Sequence, residues 1–144
     1  MNLLSNQSLL AIVAVVDVAL YAGSKPVSAT TLAERHQLPP RYLEALLQEL
    51  VRERSLRGVR GPGGGYRLAQ DRRDITAGQI VRVSEALSAG DGRDIGASSK
   101  LFKEVIQPCL RKEVDAFLKG LDAVTVEDLC ATAGTLKLAN GVAA

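Results

Sequence analysis

Apolar residues run almost without a break from Leu9 to Leu20. That pattern predicts a helix packed on several sides. Ser5 or Ser8 can cap its start, and Gly23-Ser24-Lys25-Pro26 ends it after about Ala22. Ser28 then opens a short helix through Thr31, Leu32, Ala33, Glu34 and Arg35, which His36-Gln37-Leu38-Pro39 breaks. Pro40 suits the first position of a third helix, where its missing N–H is not needed. From Arg41 to about Glu53, Leu43, Leu46, Leu47, Leu50 and Val51 recur at i, i+3, i+4, i+7 and i+8. Arg41, Glu44, Ala45, Gln48 and Arg52 fall on the opposite side.

The pattern changes at Arg60-Gly61-Pro62-Gly63-Gly64-Gly65-Tyr66-Arg67-Leu68. Leu56, Val59, Tyr66 and Leu68 are strand formers on either side of four glycines and a proline, which predicts a β-hairpin. A phosphate-cradling nucleotide loop is the rival reading of such a run. It requires a following helix and, in its ATPase form, Gly-Lys-Ser/Thr, where this chain has Tyr-Arg-Leu. Short helix, turn, amphipathic helix and basic hairpin, in that order, is the arrangement of a winged helix-turn-helix.

Further on, Thr76-Ala77-Gly78-Gln79 has capping-box spacing and opens a helix through Ile80, Val81, Val83 and Leu87. Residues 88–99 are rich in Gly, Ser, Asp and Ala and read as a flexible loop. A helical region covers about Lys100 to Leu121, interrupted near Pro108. Leu110, Val114, Phe117, Leu118 and Leu121 form an apolar stripe on its second half, available to a partner helix. Thr125-Val126-Glu127-Asp128 caps a last helix toward Ala133, and the tail from Gly134 is expected to fray. The predicted fold is mainly α with a small β-hairpin wing. A winged helix-turn-helix domain spans residues 1–87, and residues 100–144 supply a dimerisation helix and a C-terminal helix.

Charge sharpens this picture. The net charge is only +2, yet residues 25–82 carry eleven Lys/Arg against six Asp/Glu, and ten of those eleven are arginine. Arginine suits bidentate contact with phosphate and guanine, so this half is the expected nucleic-acid face. Cys109 and Cys130 lack metal-site spacing, and one histidine adds no second ligand. Reduced thiols in a cytoplasm are expected. The run from Leu9 to Leu20 has no preceding Lys or Arg, contains Asp17 and is too short for a bilayer, so neither signal peptide nor membrane span is expected. An enzyme is disfavoured by the single histidine and the lack of a Ser/His/Asp pattern or cofactor loop.

Together, Leu32-Ala33-Glu34-Arg35, Tyr42-Leu43-Glu44, the run from Val59 to Ala69, Asp74-Ile75-Thr76 and the run from Leu121 to Leu129 closely resemble the Rrf2 family of bacterial regulators. The resemblance spans nearly the whole chain. It implies a homodimeric transcription factor in which long helices pair and two recognition helices meet successive major-groove faces of double-stranded DNA. By position, Pro39, Arg41 and Glu44 match residues that face bases, and Arg60 matches a wing arginine that reaches the minor groove. Gln48, Arg57, Gly63, Gly64 and Arg67 complete the expected DNA-binding set. Cluster-binding members carry three cysteines, of which only Cys109 is matched here. The other positions fall near Ala97 and Lys103, so no iron-sulfur cluster and no other cofactor is expected.

Three other departures stand out. Asn2, Asn6 and Leu9 replace basic and aromatic residues typical of the amino terminus, Arg54 stands where the family has a turn glycine, and Ser55 replaces an apolar residue. Without a cluster, thiol oxidation, a small-molecule effector or a protein effector remains as the signal. Cys109, after Pro108 at an expected helix start and before Arg111 and Lys112, is the candidate redox switch. The plainer alternative is a small apolar side chain packed there. The leading function is a sequence-specific repressor on a palindromic operator. The alternative is a winged-helix adaptor that binds protein and has lost specific DNA affinity.

Overall fold

The computed structural model describes residues 3–88 and 99–136. Helices α1 (Asn6–Tyr21), α2 (Ala29–His36) and α3 (Pro40–Arg52) are followed by strands β1 (Leu56–Val59) and β2 (Gly65–Leu68). Helix α4 (Ala77–Ser88), a π-helical turn (Phe102–Ile106), α5 (Gln107–Leu121) and α6 (Val126–Thr135) complete the described elements. Most of the loop expected at residues 88–99, including Ala97, lies outside the described residues, as do Asn2 and most of the expected frayed tail.

Helix α1 is the centre of the packing. Ala11, Ala14, Val15 and Val18 are fully buried in one core with Leu32, Leu43, Leu46, Leu47, Leu50, Ile75, Ile80 and Val126. Ser5 is its cap, accepting from the Ser8 N–H at 3.1 Å. Ser8, the other predicted cap, is instead fully buried one turn inside and pairs with Ser84 of α4 at 2.7 Å. Asp17 is only 2 % exposed. Its carboxylate accepts from Arg35 Nη1 at 2.6 Å and lies 2.6 Å from His36 Nε2, so the end of α2 supplies what a buried charge requires. Arg35 also stacks 3.9 Å above the Tyr21 ring.

Both capping boxes form. Thr76 and Gln79 exchange bonds of 3.1 and 3.2 Å, and Thr125 and Asp128 exchange bonds of 2.9 and 3.1 Å. The last helix continues past the predicted Ala133 to Thr135. Cys130 is buried beneath it, and burial pushes its thiol pKa up.

The expected interruption near Pro108 is absent. Residues 100–121 are helical throughout, and the chain widens into the π turn immediately before the proline, with the Gln107 N–H reaching back to the Phe102 carbonyl. A proline inside an α-helix removes one hydrogen bond and collides with the carbonyl four residues earlier. The wider turn absorbs both effects. Cys109 therefore sits in the first turn of α5, as its place after Pro108 predicts, but the π turn runs straight into that helix and leaves no free helix end beside the thiol. No helix among the described residues is long and apolar enough to cross a membrane.

One ion pair joins the long helix to α4. Arg82 donates to both Asp122 oxygens, at 2.6 and 2.9 Å. Gly78 makes this approach possible, because a Cβ there would stand 2.0 Å from Asp122 Oδ1. The Arg82 hydrogen bonds hold the Asp122 carboxyl below its ordinary value of 3.8. A carboxylate with a lowered folded-state pKa stabilises the fold fully above its unfolded value and loses that contribution as pH falls through the folded one. Wild type should therefore lose denaturation midpoint more steeply than Asp122→Asn as pH drops below 3.8. Identical acid limbs in urea titrations would show that the pair does not couple to folding.

Candidate nucleic-acid interface

The interface is built from α3 and the hairpin. Ser28 caps α2, and α2 ends at Gln37, which takes a left-handed conformation with φ 53°. Pro39 follows in extended backbone as the N-cap of α3, and Pro40 begins that helix. Leu43, Leu46, Leu47 and Leu50 are fully buried beneath α3. Burying that stripe turns Arg41, Glu44 and Gln48 outward, and all three are exposed, as is Pro39. Glu49 and Glu53 flank the C-terminal half of α3.

The two wing strands pair in antiparallel register, Leu56 opposite Leu68, Arg57 opposite Arg67 and Val59 opposite Gly65. Gly61 and Gly63 adopt φ values of 99° and 75° in the connecting loop, where a side chain would be strained. Arg57 and Arg60 are exposed on the hairpin. Among the described residues neither they nor Arg41 has a hydrogen-bond or ion-pair partner, leaving three guanidinium groups available on α3 and the wing. Glu44 belongs to the same surface. Burial and, secondarily, the Glu44 carboxylate push the Tyr66 phenol pKa up, placing the helix carboxylate within electrostatic reach of the hairpin.

The wing is anchored at its root. The Val27 N–H donates to the Tyr66 carbonyl at 3.0 Å, and the Tyr66 N–H donates to the Val27 carbonyl at 2.7 Å. Gly65 permits this contact, since a Cβ there would come within 2.3 Å of the Val27 oxygen. Arg67, expected to contact DNA, points elsewhere. Its Nη1 donates to the Gly23 carbonyl at 2.9 Å and its Nη2 to the Ser24 carbonyl at 3.1 Å. Gly64 also has a structural task, because a Cβ there would stand 2.3 Å from the Val59 oxygen.

Both departures in the preceding turn are held by hydrogen bonds. Arg54 takes the positive φ of 63° that a glycine would adopt freely. An L-residue in this conformation costs about 1–2 kcal/mol. Gln70 Nε2 donates to the Arg54 carbonyl at 2.7 Å, and buried Ser55 bonds on both sides, its N–H to Leu50 and its carbonyl from Ala69.

Of the proposed partner-facing residues, Leu110, Val114 and Phe117 are exposed, whereas Leu118 and Leu121 are half-buried. Cys109 is exposed on α5, which removes the packed alternative within one chain. Sequence reasoning missed the Arg67 clamp and the Asp17–Arg35–His36 cluster. A lone aspartate inside an apolar helix was the available signal for the cluster; nothing in the sequence distinguishes a clamping arginine from an exposed one.

A helix-turn-helix followed by an anchored two-stranded wing defines a winged-helix protein. The family of iron-dependent transcriptional regulators known as Rrf2 matches residues 4–132, and the chain belongs to it. The chain is 37% identical to the transcriptional regulator IscR of Vibrio atlanticus over 82% of its own length and 70% of the relative's. It is 38% identical to IscR of Photobacterium profundum over 60% of its length, and spans about half of that relative, 51%. Among solved structures, T. potens IscR superposes with a TM-score of 0.69 at 32% identity, covering 90% of this chain and 87% of that one. CymR, the global cysteine regulator of B. subtilis, gives 0.67 at 27% identity, covering 92% and 98%.

If Arg67 positions the wing without touching phosphate, Arg67→Ala should weaken binding to duplex DNA several-fold and leave its salt dependence unchanged. Losing a phosphate contact would instead reduce the slope of log K against log salt by about 0.9. Arg67→Lys should not restore affinity, because a single ammonium lacks the fork that reaches two carbonyls. Titrations at several salt concentrations separate the two roles.

Proposed function

We propose that this chain is a sequence-specific regulator that binds double-stranded DNA as a homodimer and represses by occluding a promoter. The observation that carries the reading is the set of unpaired guanidinium groups, Arg41 on α3 and Arg57 and Arg60 on the anchored wing. α3 would lie in the major groove, where Arg41 can donate to guanine or phosphate and Glu44 can accept from a cytosine amino group. Arg60 at the hairpin tip would reach the flanking minor groove. Gln48 continues the helix face toward the bases, and the Gly63 region lets backbone approach phosphate.

The homodimer is supported by α5. None of its residues is buried, and Leu110 and Val114 are 55% and 53% exposed. Leu101, Val105, Ile106 and Phe117 are exposed in the same region. Burying a large aliphatic or aromatic side chain stabilises by about 1.5–3 kcal/mol, so pairing this stripe with a second copy gives the helix its missing core. Two α3 helices related by a two-fold axis would read a palindromic site.

The donor set supports a cluster-free regulator. The chain has two cysteines, one exposed on α5 and the other buried under α6. Lys103 presents an ammonium at a position where cluster-binding relatives have a ligand. These residues do not fit a cysteinyl iron-sulfur centre.

Selection of bound duplexes from a random pool, at low and near-physiological salt, should enrich a two-fold symmetric site that persists at the higher salt. Arg60→Glu should weaken binding to that site by at least about tenfold, the worth of one base or phosphate contact. Unchanged affinity would sink the proposed wing contact. A site-blind, salt-labile pool would favour the protein-binding adaptor.

Light scattering during size exclusion should give twice the 15.3 kDa chain mass, and Val114→Glu should shift the protein toward monomer. A wild-type monomer at micromolar concentration would contradict the two-helix geometry on DNA.

A further inference from the structure

We propose that the groove between α4 and α5 binds a small molecule carrying two phosphate groups on a hydroxylated spacer, the chemistry of a sugar bisphosphate. The groove has a volume of about 720 Å³, within the usual range for small-molecule sites. Arg82 of α4 and Arg111, Lys112 and Lys119 of α5 line it, with Asp115 among them. Among the described residues Arg111, Lys112 and Lys119 have no ion-pair partner. Arg82 is neutralised by Asp122. Even counting Asp115 and Asp122, the walls keep an excess of positive charge.

The order of charges along α5 gives the ligand its shape. Arg111 and Lys112 stand at one end, Asp115 in the middle, and Lys119, across from Arg82, at the other. Residues 111 and 119 are about 12 Å apart along the helix axis, too far for one phosphate to engage both ends. Two anionic groups fit the ends, and the carboxylate between them can accept from a hydroxyl of the spacer. No aromatic side chain lines the groove, so it offers no stacking platform for a base.

This surface is distinct from the proposed DNA face. The neighbouring depression that shares Arg82 carries Glu49 and Glu53, which repel a phosphate backbone. Most of it also faces away from the proposed dimer stripe, because Lys112, Asp115 and Lys119 lie on the far side of α5 from Leu110, Val114 and Phe117, and Arg111 stands at the flank of that stripe. A bound bisphosphate would bridge α4, which packs against α3, to the helix that carries the dimer stripe. The ligand site does not rest on the DNA reading.

The test is calorimetric titration of the full chain with fructose bisphosphate at near-physiological salt and matched ionic strength. One saturable site per chain is expected, weakened about tenfold or more by Lys119→Glu and by Arg111→Ser with Lys112→Ser, the scale of one charge-assisted contact. Arg60→Glu should leave it unchanged, and inorganic phosphate should bind at least about tenfold more weakly. Adenosine bisphosphate should bind no more tightly than the sugar, because nothing in the groove stacks on the base. No saturable heat would overturn the proposal. So would binding that Arg60→Glu removes, which would place the anion on the DNA face, or equal affinity for inorganic phosphate.

Discussion

The orientation of the helix-turn-helix depends on one buried carboxylate. Asp17 sits in the middle of the most apolar helix of the chain, where an unpaired charge would be strongly destabilising. Its two oxygens meet Arg35 and His36, the last residues of α2, at 2.6 Å each. The pairing fixes the end of α2 against α1 one residue before the left-handed Gln37, and α3 starts three residues beyond that turn. A shift of α2 along α1 would unpair the carboxylate, so the register of the two helices is specified by charge as well as by packing. Arg35 is held a second time by the Tyr21 ring, which keeps the guanidinium from swinging out to solvent.

The wing is held by a different physics. Its root is a backbone exchange between Val27 and Tyr66, possible only because Gly65 lets two backbones approach more closely than a Cβ permits. Arg67 then grips the carbonyls of Gly23 and Ser24 in the loop beyond α1. A hairpin of four residues a strand is marginal alone. Tied to the loop after α1, it presents Arg57 and Arg60 from a rigid base. Strain is accepted nearby: Arg54 occupies a conformation that favours glycine, and a side-chain amide from Gln70 fastens its carbonyl.

Much of this was legible in the sequence because it is local. The Leu43-to-Val51 spacing, the two capping boxes and the glycine run each signal structure through chemistry within a few residues, and all three led to the elements observed. Pro108 misled because a proline's cost is local while its remedy is not unique: the chain could break or widen, and it widened. Exposure of an arginine is the reverse case. Arg60 and Arg67 flank the same glycine run with the same chemistry, and only the three-dimensional position of the Gly23 and Ser24 carbonyls makes one a clamp. The basic groove escaped for the same reason, since Arg82 lies 29 positions before Arg111 in the chain and joins it only through packing.

Helix α5 concentrates what a single chain leaves unresolved. The continuous helical stretch over residues 100–121 has no buried residue and so little beyond intrinsic propensity to hold it within one chain. Its contact with α4 includes the Arg82–Asp122 pair near its end. Its two faces call for opposite remedies. Leu110, Val114 and Phe117 gain only by leaving water, which an identical stripe on a second copy provides. Arg111, Lys112 and Lys119 are exposed and keep their solvation, which an anion can share and an apolar partner would strip away. The same helix can therefore serve an assembly on one side and a charged ligand on the other without either competing for residues. Because α4 touches both α3 and α5, a change in the α4–α5 angle would alter the spacing of two recognition helices in the proposed dimer.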